Sequence, residues 1–232
     1  MDNIVAYSPF LLKGVGVTIG LSLCSIMVAV LLGLAGAAAS MSGNVLAKRA
    51  ASFYTTVVRG IPDLVFMLLL YNFGQVALNS LGAVTGLWKF VELNQFITGV
   101  IVIGVIFGAY MSETFRGAYM AIPRGMIEAG ISFGMKRGLL FRRIIWPQLI
   151  RYALPGFTNN WLGLMKTTAL VSVVGLEDII HNGYAAGRAT REPFTFMMIA
   201  LVVYLLMTII SDIGLRALQQ HYTRGVVRGV LR

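Results

Sequence analysis

The stretch EAGISFGMKRGLLFRRIIWP, which runs from Glu128 to Pro147, lies between two apolar regions and decides how the chain is organised. One acidic and four basic residues make it too charged to lie in a bilayer. Its large apolar residues make it too hydrophobic for a loop that contacts only solvent. Gly130, Gly134 and Gly138 keep side chains short, so a helix could approach the walls of a cleft closely. The stretch is therefore predicted to dock on a partner.

The composition of the whole chain is that of a membrane protein. Its 232 residues are 57% hydrophobic and 12% charged, with a mean hydropathy of +0.79. Four long gaps between charged residues can each hold the roughly 20 apolar residues of a spanning helix, and a fifth gap is interrupted only by Lys166. We expect an all-α membrane protein, a single transmembrane domain over residues 1–232. The five predicted spans cover about residues 14–40, 62–84, 94–116, 152–176 and 193–215.

The positive charges indicate the orientation of these spans. With the N-terminus outside, fourteen Lys and Arg residues fall at cytoplasmic ends and four fall outside. This arrangement places the C-terminus in the cytoplasm, where the basic tail from Arg216 to Arg232 would anchor to lipid headgroups. A net charge of +10 does not predict nucleic-acid binding, because the cations lie between apolar spans and no groove-reading motif accompanies them.

The chain lacks the motifs of common catalytic and metal sites. It has no G-x-x-x-x-G-K-[ST] phosphate loop, no H-E-x-x-H zinc helix and no G-x-S-x-G elbow. Its two histidines, His181 and His221, are far apart. We therefore expect no catalytic residue, no metal site and no cofactor bound by this chain, and an energy source elsewhere.

The fourth predicted span carries a polar stripe. Asn159, Gly163 and Lys166 follow i, i+4, i+7 spacing and share one helix face, with Asn160 and Thr167 on its flank. A lysine near the bilayer middle costs several kcal/mol unless it is paired or hydrated. The stripe therefore indicates either a structural partner for Lys166, such as Glu113 or a loop carbonyl, or a translocation path. Because the stripe has no carboxylate, a basic substrate side chain would need an acid from a partner subunit.

Two acid–base pairs lie near predicted cytoplasmic ends. Glu113 and Arg116 are three residues apart, which favours a local ion pair or a polar border of the exit. Asp63 follows Pro62 at a predicted helix start, where an acid is stabilised by the helix dipole. The alternative is that Arg59 and Asp63 form a gate at the cytoplasmic mouth.

The spacing of the opening stretch resembles the EAA loop of ABC importer permeases, with Gly130 where alanine is usual and Trp146 where leucine is usual. The matching positions are Glu128, Ala129, Gly130, Gly134, Ile144, Trp146 and Pro147. The segments RGIPDLVFMLLL from Arg59, SETFRGAYMAIPRG from Ser112 and KTTALVSVVGLEDI from Lys166 resemble membrane subunits for histidine and other basic amino acids.

This resemblance implies a type I importer fold in the bacterial inner membrane, with a coupling loop over residues 123–147. Glu128, Ala129, Gly130 and Gly134 would contact the ATPase, while Ile144 and Pro147 would shape the return into the fourth span. The implied partners are a paralogous permease subunit, a dimer of ATP-binding subunits holding ATP and Mg, a periplasmic binding protein and membrane lipid. The implied substrates are histidine, arginine, lysine, ornithine or opines.

Two other classes of protein remain as alternatives. A secondary transporter or channel would work without an ATPase. A membrane enzyme would need acid, base or metal residues clustered at one depth, whereas Asp63, Glu113 and Lys166 are scattered along the sequence.

Overall fold

Helices account for nearly all of the regular structure. The computed structural model describes residues 2–223, and it contains no strand within that range. The elements are α1 (Asp2–Met41), α2 (Val45–Gly60), α3 (Asp63–Thr85), α4 (Gln95–Met120), α5 (Arg124–Ser132), α6 (Arg137–Leu140), a π-helical turn (Phe141–Ile145), α7 (Trp146–Thr167), a 3-10 helix (Thr168–Val174), α8 (Ile179–Thr190) and α9 (Pro193–Thr223). The predicted all-α class is confirmed.

Four helices of the described range are long and apolar enough to cross a membrane. They are α1, α3, α4 and α9. They match four of the predicted spans, although α1 begins about a dozen residues earlier, at Asp2, and α9 continues past residue 215 to Thr223. The predicted fifth span, 152–176, coincides with α7 and its 3-10 extension, which are helical but fall outside the apolar set. Arg151, Lys166 and the amides of α7 lower its hydropathy.

The centre of the fold is the packing of α1 against α4. Glycines let the two backbones approach: a Cβ on Gly33 would lie 2.5 Å from Cβ of Met111, and one on Gly104 would lie 2.5 Å from Cγ1 of Val28. Ile103 and Met111 of α4 are fully buried at this contact. These small residues therefore allow the most extensive helix–helix contact within residues 2–223.

A break in the chain separates α2 from α3. The side chain of Asn44 caps α2 by accepting from the N–H groups of Leu46 and Ala47. The helix ends at Gly60, and extended backbone at Ile61 and Pro62 precedes α3. One face of α2 packs on α4, where the Tyr54 hydroxyl donates to the Val105 carbonyl at 2.6 Å. The sequence had not indicated α2 as a separate helix.

The remaining helices surround this core. α7 packs against α4 and α9, and α8 lies between α1 and α9. In the predicted basic tail, Arg216 forms an ion pair with Asp212 at 2.8 Å. Arg224, Arg228 and Arg232 lie outside the described residues, so the headgroup-anchor prediction remains a prediction.

Candidate functional site

The predicted docking stretch forms a short helical elbow, consisting of α5, α6 and the π-helical turn. Glu128 and Ala129 lie on the exposed side of α5, together with Ser132. Phe133, at the end of α5, is 85% exposed. An exposed aromatic ring at this position is available for contact with another protein or with lipid. The elbow therefore presents both a polar face and an aromatic side chain.

Gly130 faces the inside of this elbow. It is buried, and a Cβ there would lie 2.5 Å from Cδ1 of Leu140 and 2.7 Å from Cδ1 of Ile144. The absence of a side chain thus lets α5 fold back on the segment that follows it. Of the sequence-predicted coupling residues, Gly130 and Ile144 are in contact within the chain itself.

Gly134 serves a different purpose, because its backbone φ is +72°. Its N–H donates to the Ile131 carbonyl at 2.9 Å, and the N–H of Met135 donates to the Gly130 carbonyl at 3.1 Å. These two bonds form a Schellman motif, which ends a helix at a residue in the left-handed region. A side chain at position 134 would have open space around it, but it would strain the backbone, because residues other than glycine rarely adopt a positive φ.

Pro147 explains the wide helical turn before α7. Proline has no N–H, so it cannot donate a helical hydrogen bond to a carbonyl of the preceding turn. Just before it, the N–H of Trp146 reaches back five residues to the Phe141 carbonyl, as expected in a π-helical turn. The elbow is thereby joined to α7 without a loop.

Only one of the two predicted cytoplasmic pairs forms an ion pair within the described residues. Glu113 and Arg116 form an ion pair at 2.6 Å, as the local interpretation predicted. Arg59 stacks over the ring of Tyr110, 5.3 Å from its centroid, rather than pairing with Asp63. The Asp63 carboxylate instead lies close enough to the Thr167 side chain to interact with it. This contact joins the start of α3 to the end of α7.

A polar cavity of about 490 Å³ lies between α2 and α4. Glu113, Arg59 and Tyr110 line it together with hydroxyl groups of α2. A second, smaller cavity shares Glu113 and adds Lys48 and Arg116. Sequence reasoning missed the contribution of α2, although the spacing of Ser52, Thr55 and Thr56 beside Arg59 was a usable signal.

The predicted polar residues of α7 divide between two faces. Asn160 donates to the Thr114 hydroxyl of α4 at 2.9 Å, and a Cβ on Gly163 would meet the Phe107 ring at 3.3 Å. These two residues therefore hold α7 against α4. Asn159 and Lys166 are exposed on the neighbouring face. Thr114 was not singled out from the sequence.

Within residues 2–223, no group of three or more His, Cys, Asp or Glu side chains is placed to hold a metal ion.

The sequence matches a family described as binding-protein-dependent transport system inner membrane component, over residues 25–224. The histidine/lysine/arginine/ornithine transport system permease protein HisQ of Escherichia coli K12 is 44% identical over 97% of this chain and 98% of its own length. The octopine transport system permease protein OccQ of Rhizobium meliloti is 39% identical over 95% of this chain and 93% of its own length.

Solved structures share the fold. One described as an amino acid ABC transporter with histidines superposes with a TM-score of 0.80 at 29% identity, covering 94% of this chain and 96% of that one. An inward-facing MetNI methionine ABC transporter superposes with a TM-score of 0.66 at 19% identity, which supports the fold alone. This chain therefore belongs to the family of inner membrane components of binding-protein-dependent transport systems.

Proposed function

We propose that this permease subunit imports basic amino acids or opines and that the elbow of residues 123–147 couples it to ATP hydrolysis. The substrate proposal is supported by the names of two relatives, one for histidine, lysine, arginine and ornithine and one for octopine. The coupling proposal rests chiefly on one observation, the exposed face of α5 with Glu128, Ala129 and Phe133.

The proposed topology has five spans in the bacterial inner membrane, within one domain covering residues 1–232. α7 is the fifth span: its 22 residues extend about 33 Å, enough to cross the hydrocarbon core. A helix flanked by other protein helices need not be apolar on every side. With this count the elbow and the C-terminus would lie on one side of the membrane and the N-terminus on the other. The excess of Lys and Arg around the elbow supports the cytoplasm for that side.

The proposed assembly contains a paralogous permease subunit, a dimer of ATP-binding subunits and a periplasmic binding protein. ATP and Mg would be held by the ATP-binding subunits, and this chain would be non-catalytic. In the elbow, Gly130 and Ile144 would keep α5 folded back, Gly134 would end it, and Pro147 would set the wide turn into α7. Movement of the ATPase would therefore reach α7 through a continuous helical connection.

The proposed substrate path runs along the exposed face of α7. Lys166 and Asn159 would face the substrate, whereas Asn160 and Gly163 hold α7 in place. Asp63 lies near Thr167 beside this face, so this chain as well as a partner would offer a carboxylate for a basic side chain. The cavity that Arg59, Glu113 and Arg116 border would form the cytoplasmic exit.

The coupling proposal is tested by Ala129→Arg, which places a long charged side chain on the exposed face of α5. The assembled complex should lose most of its binding-protein-stimulated ATPase activity and uptake. The matched control is Ala121→Arg, because Ala121 is also exposed but lies in the turn before α5. Wild-type stimulation in Ala129→Arg would contradict the proposal.

The path proposal is tested by Lys166→Met, measured as uptake by complexes of normal composition. Transport should fall while the complex still assembles, because the exposed Lys166 makes no ion pair within the described residues. Lys89→Met, in an exposed loop, is the control and should transport normally. Equal uptake by the two variants would remove Lys166 from the path.

A further inference from the structure

A buried polar junction joins α8 to α1 at the opposite end of α7 from the elbow. Asp178, Asn182 and Thr18 all have no exposed surface. The amide of Asn182 donates to the Phe10 carbonyl at 2.9 Å, and the N–H of Ile179 donates to the Thr18 hydroxyl at 3.4 Å. The approach is close, since a Cβ on Gly14 would lie 2.8 Å from the Asp178 carbonyl oxygen.

Two oxygens in this junction have no hydrogen-bond partner among the described residues. They are Oδ2 of Asp178 and Oδ1 of Asn182. Asp178 caps α8, with its other oxygen accepting from the N–H of His181 at 2.8 Å, and Asn182 lies one helical turn later on the same side. Both unpaired oxygens are acceptors, so an ionised Asp178 leaves the junction one hydrogen short.

The neighbouring hydroxyl groups use their hydrogens elsewhere. Thr18 donates to the Gly14 carbonyl at 2.9 Å. Thr168 donates to the Met165 carbonyl at 2.7 Å, so the hydrogen in its 3.3 Å contact with Tyr204 comes from Tyr204. A proton on the carboxyl group of Asp178 would supply the missing donor for the Asn182 oxygen one helical turn later.

We infer that Asp178 is held as a neutral carboxylic acid that donates to Asn182 and locks α8 against α1, and that ionisation of this acid loosens α8. Burial of two unpaired acceptors costs more than burial of a hydrogen-bonded acid and amide. The junction is therefore a proton-dependent latch, separate from the elbow and from the exposed face of α7.

The charges around Asp178 set the pH at which the latch responds. Burial raises the pKa of Asp178 to about 6, against the opposing effects of the backbone N–H groups of His181, Ile180 and Asp178 and of the imidazole charge. His181 of α8 and Tyr204 of α9 interact with Asp178. The other titratable or polar groups near the junction are Glu177 with its ion-pair partner Lys13 of α1, Thr168 of the 3-10 helix beside Tyr204, and Gln95 of α4 against Gly175.

The direction of the pH effect follows from linkage. The folded protein keeps a proton that the unfolded chain releases at lower pH, because the folded pKa is the higher one. The contribution of Asp178 to stability is therefore greatest at low pH and is lost as the pH rises toward about 6. Above that value the junction carries the full cost of the buried charge.

The test is infrared spectroscopy of the purified permease–ATPase complex, comparing wild type with Asp178→Asn as a function of pH. The wild type should show a protonated-carboxyl band that disappears with a midpoint near pH 6 and is absent from Asp178→Asn. Asparagine keeps the helix cap and supplies a permanent N–H donor, so the variant should also lose the pH dependence of its thermal unfolding midpoint.

Two controls separate Asp178 from its neighbours. Glu177→Gln alters an exposed acid whose pKa is lowered by Lys13, and it should leave the band unchanged. His181→Gln removes the imidazole and should move the midpoint upward without removing the band, because the imidazole charge lowers the pKa of Asp178. A wild-type spectrum without the band between about pH 4 and pH 8 would overturn the inference, whatever the stability of the variants.

Discussion

α4 and α3 are candidate spans of similar length but opposite surroundings. The most apolar part of α4 is 56% buried within the chain, whereas that of α3 is 6% buried. α4 packs against α1, α2, α3 and α7, while α3 exposes large residues such as Phe73 and Val76, at 67% and 64%. The difference shows that α4 organises this subunit and that α3 is available to lipid or to another subunit. Mean hydropathy alone hardly distinguishes the two helices, because it is 1.8 for α4 and 1.5 for α3.

The largest effect should come from overpacking α4. Gly104→Leu would force a side chain into Val28 and Ser25 of α1, at a cost of about 1–3 kcal/mol or more. Thermal unfolding of the complex in detergent should show a clear loss of stability. Gly16→Leu is the matched control, because a Cβ there meets nothing within 4 Å. Equal stability of the two variants would refute the central role of the α1–α4 contact.

An intermediate effect should appear at the end of α5. Gly134→Ala forces an alanine into the left-handed region, at a cost of roughly 1–2 kcal/mol. Amide hydrogen exchange in α5 should accelerate while exchange in α4 stays slow. Gly138→Ala is the control, since Gly138 lies in α6 without a positive φ and without a close neighbour. Unchanged exchange in Gly134→Ala would contradict the Schellman assignment.

A smaller effect is expected where α7 meets α4. Asn160→Leu removes the hydrogen bond to Thr114, and interhelical hydrogen bonds in membranes contribute about 0.6 kcal/mol on average. The double variant with Thr114→Val measures the coupling between the two side chains. The single variants should each destabilise the complex, and the double variant should be less unstable than their sum. Strict additivity would show that the contact contributes nothing.

The smallest effect should come from an exposed residue of α3. Val76→Ala trims an exposed side chain and should leave the unfolding midpoint of the isolated subunit almost unchanged. Met67→Ala, at the buried residue of the same helix, provides the contrast and should be clearly destabilising. A large loss from Val76→Ala alone would mean that α3 packs within this subunit after all.

The sequence predicted the helical class, four of the spans and the ion pair of Glu113 with Arg116, because apolar run length and i, i+3 spacing are local properties. It could not predict which of two adjacent residues faces inward. Asn159 and Asn160 differ by one position, yet one is exposed and the other bonds to α4. That choice depends on the rotation of α7, which is set by contacts with distant parts of the chain.

The elbow also contains contacts that could not be predicted from the sequence. The spacing grouped Gly130 and Gly134 as short side chains for docking, but the structure requires glycine at each position for a different reason. Gly130 contacts Leu140 and Ile144, and Gly134 has a positive φ. The sequence predicted Asp63 as an acid at a helix start, and α3 does begin there. The alternative pairing with Arg59 relied on sequence proximity, whereas folding brings Asp63 near Thr167, more than a hundred positions away. Long-range contacts of this kind leave no periodic signal.

The central claim is that the elbow, and not the exposed face of α3, contacts the ATP-binding subunits. It is tested most directly by replacing Phe133 or Phe73 with the photoreactive amino acid benzoylphenylalanine in cells that express the whole transporter. Both rings are exposed, so both sites can report a neighbour. Irradiation should crosslink position 133 to an ATP-binding subunit and position 73 to none. Crosslinking to that subunit from position 73 but not from position 133 would contradict the account.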